Sequence, residues 1–125
     1  GRIRVAYATY EASAEQSTIE MFNLPNGARI VAGYLGHDAL GSSTTLSVGY
    51  AAHTSSAGAS VSADVDAYKA AAASTADAVT AFPTTMAKLA MSEVDANQDG
   101  LPVTVTLAGA NGSNTISLEM FYVVD

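Results

Sequence analysis

Alternation of apolar and polar residues with a period of two recurs along this chain and restricts the fold to one built mainly from β-strands. The pattern is clearest over residues 114–124, where apolar side chains occupy every second position from Ile116 to Val124. Residues 101–107 repeat it with two valines and two leucines. Because successive side chains of a strand point to opposite faces, each segment can bury one face and expose the other. We therefore predict strands at both places, with the final strand in the middle of the core.

The same pattern predicts further strands upstream. They span residues 3–10, 18–24, 28–35, 44–50, 76–82 and 85–91. The Pro25-Asn26-Gly27 run is a turn signal, because proline presets φ and Asn or Gly accepts a positive φ. Residues 28–35 carry apolar side chains on both faces, which indicates a central strand covered on two sides. Residues 37–43 are then the loop of a hairpin.

Two segments depart from the alternation. Residues 51–63 are nearly all Ala, Ser, Gly and Thr, a composition that buries little, so we expect a flexible connection there. Residues 63–73 combine Asp64 and Asp66 with an alanine run, which favours a short helix with acidic residues at its N-terminal end. The sequence therefore predicts one domain over residues 1–125, an all-β antiparallel β-sandwich of jelly-roll topology with one short helical insertion.

Charge excludes several classes of partner. The chain has 12 acidic and 5 basic residues, a net charge of −7, which repels nucleic-acid phosphates and anionic lipid surfaces. The longest charge-free stretch, residues 39–63, is rich in Ser, Thr and Gly and could not span a bilayer. We expect no nucleic acid and no membrane as partners. The chain begins at Gly1 without a signal-sequence pattern, so we expect a processed or trimmed chain.

Candidate catalytic and metal-binding residues are few. His37 and Asp38 are adjacent, so on a strand they would point to opposite faces and could not act as a base and its orienting partner. His53 lies beside two serines, but no nucleophile elbow surrounds it. Two histidines without any cysteine do not make a zinc site. We therefore predict no catalytic residue, no metal, no cofactor and no enzymatic activity.

The DANQDG run places Asp95, Asn97, Asp99 and Gly100 at positions one, three, five and six of a calcium loop. Position twelve falls on Thr106, where a bidentate Glu is required, and a strand follows in place of a helix. Two interpretations remain open, a calcium site and a turn capped by Asp and Asn side chains, and we favour the turn.

The tyrosines of the chain suggest an alternative function. The six tyrosines are Tyr7, Tyr10, Tyr34, Tyr50, Tyr68 and Tyr122. Because tyrosine is amphipathic, such a set builds either core and interface packing or a ligand-stacking surface. A carbohydrate- or receptor-binding spike or fibre module that uses exposed tyrosines with the DANQDG turn is therefore the alternative hypothesis.

Three segments resemble a family of small structural proteins of tailed bacteriophages. They are LPNGARIVAGYLGHDALGSSTTLSVGY (residues 24–50), DVDAYKAAA (residues 64–72) and TVTLAGANGSNTISLEMFYVVD (residues 104–125). The resemblance implies a component of the virion, located on the exterior of the phage head, that decorates or cements the capsid. It also implies a partner, the major capsid protein, and a homo-oligomer, often a trimer. The family carries over no catalytic residue.

The first hypothesis is therefore a non-enzymatic capsid decoration or cement protein that bridges neighbouring capsomers. Residues 1–10 are predicted to be an arm that binds a partner, because strand addition at a sheet edge is one way for a β-sandwich to hold a neighbour.

Overall fold

Two four-stranded antiparallel sheets face each other in the computed structural model, which describes residues 2–89 and 93–124. The strands are β1 (Ile3–Ser13), β2 (Ser17–Leu24), β3 (Arg29–His37), β4 (Thr45–Tyr50), β5 (His53–Thr54), β6 (Ser60–Val61), β7 (Asp64–Ala73), β8 (Ala78–Phe82), β9 (Leu101–Ala108) and β10 (Ser113–Val123). One short helix, α1 (Met86–Leu89), follows β8. The predicted antiparallel β-sandwich is confirmed.

Most strands that follow one another along the chain lie in opposite sheets. Sheet 1 has the order β1-β10-β3-β8, and sheet 2 has the order β2-β9-β4-β7. β1 and β2, β3 and β4, β7 and β8, and β9 and β10 are each split between the two sheets, so the chain crosses the sandwich repeatedly. This arrangement is compatible with the predicted jelly roll. β5 and β6 form a separate two-stranded hairpin.

The core lies between the inner faces of the two sheets. In β10, Ile116, Leu118 and Met120 are fully buried, as the alternation predicted, and β10 lies between β1 and β3. β9 buries four side chains against them: Leu101, Val103, Val105 and Leu107. At about 25 cal/mol per Å² of buried apolar surface, such side chains stabilise the fold by roughly 1.5–3 kcal/mol each before entropy is counted.

The predicted helix over residues 63–73 is wrong, because these residues form β7. Thr45 lies opposite Ala73 and Leu46 lies opposite Ala72 in the β4–β7 ladder, and Tyr68 is buried. Helix propensity is a weak preference that tertiary packing overrides. The pairing with β4 and the burial of Tyr68 outweigh the helix preference of the alanine run. The short helical insertion lies at α1 instead.

Two other local predictions are also wrong. Residues 37–43 do not close a hairpin, because β3 belongs to sheet 1 and β4 to sheet 2. Residues 85–91 are not a strand over their described part, since Met86–Leu89 is helical, while residues 90–92 lie outside the described residues. The strands predicted over residues 3–10, 18–24, 28–35, 44–50, 76–82, 101–107 and 114–124 all overlap observed strands.

Residues 51–63, the predicted flexible connection, contain the β5–β6 hairpin. Ser55 N–H donates to Ala59 O at 2.8 Å, and Gly58 N–H donates to Ser55 O at 3.0 Å. Flexibility itself stays a prediction. Within the described residues, no helix has the length and apolar character needed to cross a bilayer.

Candidate functional site

The outer face of sheet 1 is an exposed apolar surface. Its large side chains include Val79, 74% exposed, Ile3, 67% exposed, and Tyr7, 60% exposed, with Val5 and Tyr34 also exposed. Scattered apolar residues are normal on a protein surface, but a contiguous group marks an interaction site. We call these five residues the outer patch.

Register explains why the outer patch is contiguous. Val5 lies opposite Phe121, and Tyr7 lies opposite Glu119, which in turn lies opposite Tyr34. Directly opposite residues of antiparallel strands project to the same face. The rings of Tyr34 and Phe121 meet edge to face, with their centroids 6.0 Å apart. The patch therefore has members on β1 and β3, with Phe121 and Glu119 of β10 between them.

The outer patch also corrects a prediction about β3. Residues 28–35 were predicted to be covered on both faces, and their position in the middle of sheet 1 is confirmed. Ile30 and Leu35 are buried on the inner face of β3, whereas Val31 and Tyr34 are exposed. A bulge in the β3–β10 ladder at Val31 contributes to this exposure. Apolar residues on both faces of β3 were thus the sequence signal of an apolar surface that stays exposed among the residues that the structure describes.

The free edge of β1 borders the outer patch. β1 pairs with β10 over all eleven of its residues without a register shift, and it is the end strand of sheet 1. Its segment IRVAYATYEAS contains no proline, and its charged residues are Arg4 and Glu11, so residues 5–10 of this edge carry no charge. The predicted arm, residues 1–10, therefore lies in β1 from Ile3 onward, and Gly1 is outside the described residues.

A cleft forms a second candidate site. It has a volume of about 270 Å³ and lies between the end of β4, β7, the β5–β6 hairpin and the segment before β9. Its lining includes Tyr50, His53, Tyr68, Glu93 and Asp95. The Tyr50 ring stands edge to face to both other rings, with centroid distances of 5.2 Å to His53 and 6.1 Å to Tyr68.

The alternation of buried and exposed residues determines the direction of the two carboxylates that line the cleft. Val94 and Ala96 point inward and are buried, so Glu93 and Asp95 point outward. Val94 N–H donates to Ala28 O at 2.8 Å, which ties this segment to the start of β3. Arg29 Nη2 donates to Glu93 Oε2 at 3.1 Å, and both side chains are exposed. Glu93 is therefore partly neutralised by Arg29.

Asp95 is held by the turn of the β5–β6 hairpin. Its Oδ1 accepts hydrogen bonds from Ser56 Oγ at 2.6 Å and from Ser56 N–H at 3.0 Å. Both bonds stabilise the carboxylate and so lower the pKa of Asp95, and the bond from the Ser56 side chain has the larger effect. Asp95 therefore carries its negative charge throughout the neutral range.

The tyrosines of the cleft stay protonated. Burial raises the pKa of Tyr68 above its ordinary value, and Tyr50 and Asp64 raise it further. The pKa of Tyr50 is also raised, first by burial and then by the negative charge of Asp64. Both residues therefore offer neutral rings and hydroxyl groups in a negative local field.

The DANQDG segment forms a turn capped by side chains. Asn97 Oδ1 accepts the Asp99 N–H at 3.0 Å, and Gly100 N–H donates to Asn97 O at 3.0 Å. Gly100 has a positive φ of 82°, which glycine adopts without strain. Asp95 bonds to Ser56 instead of joining Asn97 and Asp99. Among the described residues, no three His, Cys, Asp or Glu side chains form a group that could hold a metal ion.

The histidines lie in separate parts of the fold. His37 ends β3 and its Nδ1 lies 2.9 Å from Asp38 O, whereas His53 is in β5 with Nδ1 2.9 Å from Ala51 O. Because a carbonyl oxygen only accepts, Nδ1–H donates in each case. Neither histidine is hydrogen-bonded to a carboxylate or a hydroxyl nucleophile in these contacts.

The six tyrosines divide among three environments. Tyr7 and Tyr34 belong to the outer patch, and Tyr50 and Tyr68 line the cleft. Tyr10 and Tyr122 pack against the core. Sequence reasoning identified the tyrosines and Asp95 but did not predict which of them meet. It missed Val5, Val31 and Val79 as surface residues.

Comparison with known proteins places the fold among those of phage capsid chains. No protein-family model matches the sequence, and no curated protein matches it. A chain of the capsid of Ralstonia phage GP4 is similar, with a TM-score of 0.74 and 22% identity over 100% of this chain and 86% of that chain.

Two other capsid structures contain similar chains. One, from the capsid asymmetric unit of cyanophage Pam1, has a TM-score of 0.67 and 16% identity over 100% of this chain and 86% of that chain. The other, from the acid-stable capsid of Helicobacter pylori bacteriophage KHP30, has a TM-score of 0.64 and 16% identity over 98% of this chain and 87% of that chain. This chain therefore has a fold that also occurs in the capsids of three bacteriophages.

Proposed function

We propose that this chain is a non-enzymatic structural protein of a phage particle that decorates or cements the exterior of the capsid. It binds the major capsid protein and bridges neighbouring capsomers. The observation that carries this proposal is the outer patch together with the free edge of β1, on a fold shared with chains of phage capsids.

The chemistry of the outer patch suits protein contact. Aromatic and aliphatic side chains at the centre of an interface supply most of its binding energy, and tyrosine is enriched there. Tyr7 and Tyr34 stand on either side of Glu119, surrounded by Val5 and Val79. The free backbone groups of β1 offer an extended segment of a neighbour a ladder of hydrogen bonds.

Self-association belongs to the same proposal. We propose that the protein is a homo-oligomer, with a trimer as the expected state, because bridging several capsomers requires more than one binding surface. Native mass spectrometry of the purified protein at micromolar concentration tests this point. A monomer at every concentration, both free and on particles, would contradict it.

The decisive measurement is the copy number of the protein in purified particles, by quantitative mass spectrometry against the major capsid protein. Hundreds of copies per particle are expected of a cement protein. A dozen copies or fewer would indicate a spike, fibre or tail position, and complete absence from the particle would refute the virion role.

Surface variants test the outer patch on particles that lack the protein. Val5→Thr and Tyr7→Ser should fold normally, because both side chains are exposed, but should lower occupancy on the particles. Thr9→Ser is the matched control, since Thr9 is also an exposed residue of β1 but is already polar. Equal occupancy of all three variants would remove the outer patch from the proposal.

Deletion of residues 1–10 is a poor test of the predicted arm. Ala6 and Tyr10 pack against the core from β1, so the deletion would remove most of a strand and uncover apolar surface of β10. Point substitutions at outward positions separate partner binding from folding.

A further inference from the structure

We propose that the cleft lined by Tyr50, His53, Tyr68 and Asp95 receives the side chain of an arginine or lysine from a protein partner. This inference deepens the proposed function, because it supplies one specific contact between the chain and a neighbouring virion protein. The cleft is distinct from the outer patch and lies at the end of β4, between β7, the β5–β6 hairpin and the segment before β9.

The charge of the lining selects a cation. Two carboxylates, Glu93 and Asp95, line the cleft, and its described lining includes no lysine or arginine. Arg29 occupies one oxygen of Glu93 from outside the lining, and Ser56 occupies Oδ1 of Asp95. The Oδ2 atom of Asp95 is left to accept a hydrogen bond from an incoming ammonium or guanidinium group.

The aromatic rings of the cleft also attract a cation. Tyr50, His53 and Tyr68 are grouped edge to face around the cleft. The face of an aromatic ring attracts a cation within about 6 Å of its centroid, and arginine stacks on such faces readily. A cation beside Tyr50 would therefore be stabilised by both the ring and Asp95.

Tyr68 adds a hydroxyl group to the lining of the cleft. Its side chain lines the cleft and is only 4% exposed, yet none of the hydrogen bonds among the described residues involves its hydroxyl group. The Tyr68 hydroxyl is not one of the buried side-chain atoms that lack a partner, so it is accessible to solvent at the cleft. An N–H group of arginine or lysine can donate to this hydroxyl oxygen.

Other ligand classes fit less well. A phosphate or carboxylate would meet two carboxylates, and a purely apolar group would leave Asp95 and the Tyr68 hydroxyl without new partners. A volume of about 270 Å³ accommodates one long side chain but not a folded segment. A small sugar is the remaining competitor, and titration with glucose or galactose tests it.

The test uses the purified full chain and two short peptides, acetyl-Gly-Arg-Gly-amide and the same peptide with citrulline in place of arginine. Citrulline keeps the shape of arginine but is neutral. NMR titration should show that the arginine peptide shifts the ring signals of Tyr50 and Tyr68 and that the citrulline peptide does so at least about fivefold more weakly.

Two variants localise the binding. Asp95→Asn should weaken the arginine peptide about threefold to fivefold, and asparagine can still accept the hydrogen bonds from Ser56. Asp99→Asn is the matched control, because Asp99 lies in the same segment but outside the lining, and it should leave affinity unchanged. Tyr50→Leu, checked for a native spectrum, should weaken binding through loss of the ring.

Three outcomes would overturn the inference. They are equal shifts with the arginine and citrulline peptides, unchanged affinity in Asp95→Asn, and shifts of the same ring signals by glucose or galactose without any by the arginine peptide. Because the titration uses free protein, it is independent of the copy number in particles. A failed titration with hundreds of copies per particle would refute only this inference.

Discussion

The ring of Phe82 lies directly against the backbone of Gly33 across the β3–β8 pair, on the inner face of sheet 1. Phe82 is 2% exposed and fills the space that a side chain at position 33 would need. A Cβ atom added at Gly33 would overlap three atoms of the ring. Glycine at this position therefore allows the edge strand β8 to place a phenylalanine over the middle of the sheet.

Gly33→Ala should accordingly destabilise the protein by about 2 kcal/mol, because the buried ring has to move within a packed core. Urea denaturation measures the change. Gly36→Ala is the control on the same strand, since its Cβ would make only ordinary contacts, with Val79 Cγ2 at 3.6 Å and Ala78 O at 4.0 Å. It should change stability by less than about 0.5 kcal/mol. Equal effects of the two substitutions would contradict the packing of Phe82 on Gly33.

Thr104→Val should raise the free energy of unfolding by about 1 kcal/mol. Thr104 is completely buried, and its Oγ1 has no hydrogen-bond partner among the described residues. Valine has nearly the same shape, so the substitution removes the cost of an uncompensated buried hydroxyl without creating a cavity.

Thr106→Val is the matched substitution on the same strand, since Thr106 Oγ1 is hydrogen-bonded to Thr18 Oγ1 at 3.0 Å. It should not stabilise the protein. If thermal unfolding shows that Thr104→Val is the less stable of the two variants, the Thr104 hydroxyl has a partner.

The bond between Asp95 and Ser56 should weaken in acid. Because the pKa of Asp95 in the folded protein is below its usual value of 3.8, the unfolded chain binds the proton more readily. The stabilising contribution is therefore complete above pH 3.8 and is lost as pH falls through the lower, folded pKa. NMR titration of the Asp95 carboxyl carbon should give a midpoint below 3.8.

Ser56→Ala should raise that midpoint, because it removes the shorter of the two hydrogen bonds to Oδ1 and leaves the one from the backbone N–H. A midpoint in the unsubstituted protein at or above 3.8 would be inconsistent with the hydrogen bonds described for Asp95.

Lys69→Met should make the protein at least as stable at pH 7. Lys69 is 5% exposed, its Nζ donates to Ala70 O at 3.3 Å, and burial lowers its pKa below the usual 10.5. The unfolded chain then holds the proton at pH values where the folded chain has released it, so the stability of the unsubstituted protein rises as pH increases toward 10.5.

The advantage of Lys69→Met should therefore shrink between pH 7 and pH 10.5, in parallel urea titrations of the two proteins. A stability difference that does not depend on pH would show that the ammonium group is solvated in the folded state.

The strands could be predicted from the sequence because burial of one face imposes a period of two. Residues 101–107 and 114–124 carry that period and form β9 and most of β10. The assignment of strands to sheets could not be predicted, because pairing joins residues far apart in the chain, such as Ile3 and Val123. The hairpin predicted between β3 and β4 is wrong for this reason.

Local preference misled the prediction for β7. An alanine run favours a helix only when no stronger interaction competes, and here Ala72 and Ala73 pair with β4. The candidate sites could likewise be predicted from the sequence only in part. Spacing alone indicated the turn of Asn97 and Asp99, whereas the meeting of Tyr50, Tyr68 and Asp95 depends on the crossing of the chain between sheets.

The opposition of Ile3 and Val123 means that the first and last strands begin and finish side by side at one end of sheet 1. A short linker joining the start of β1 to the end of β10 would give a circular permutant that keeps the whole β1–β10 ladder. New ends could be opened at Gly58, in the exposed turn between β5 and β6. Cargo fused before β1 or after β10 would therefore leave the sandwich at the same end of sheet 1.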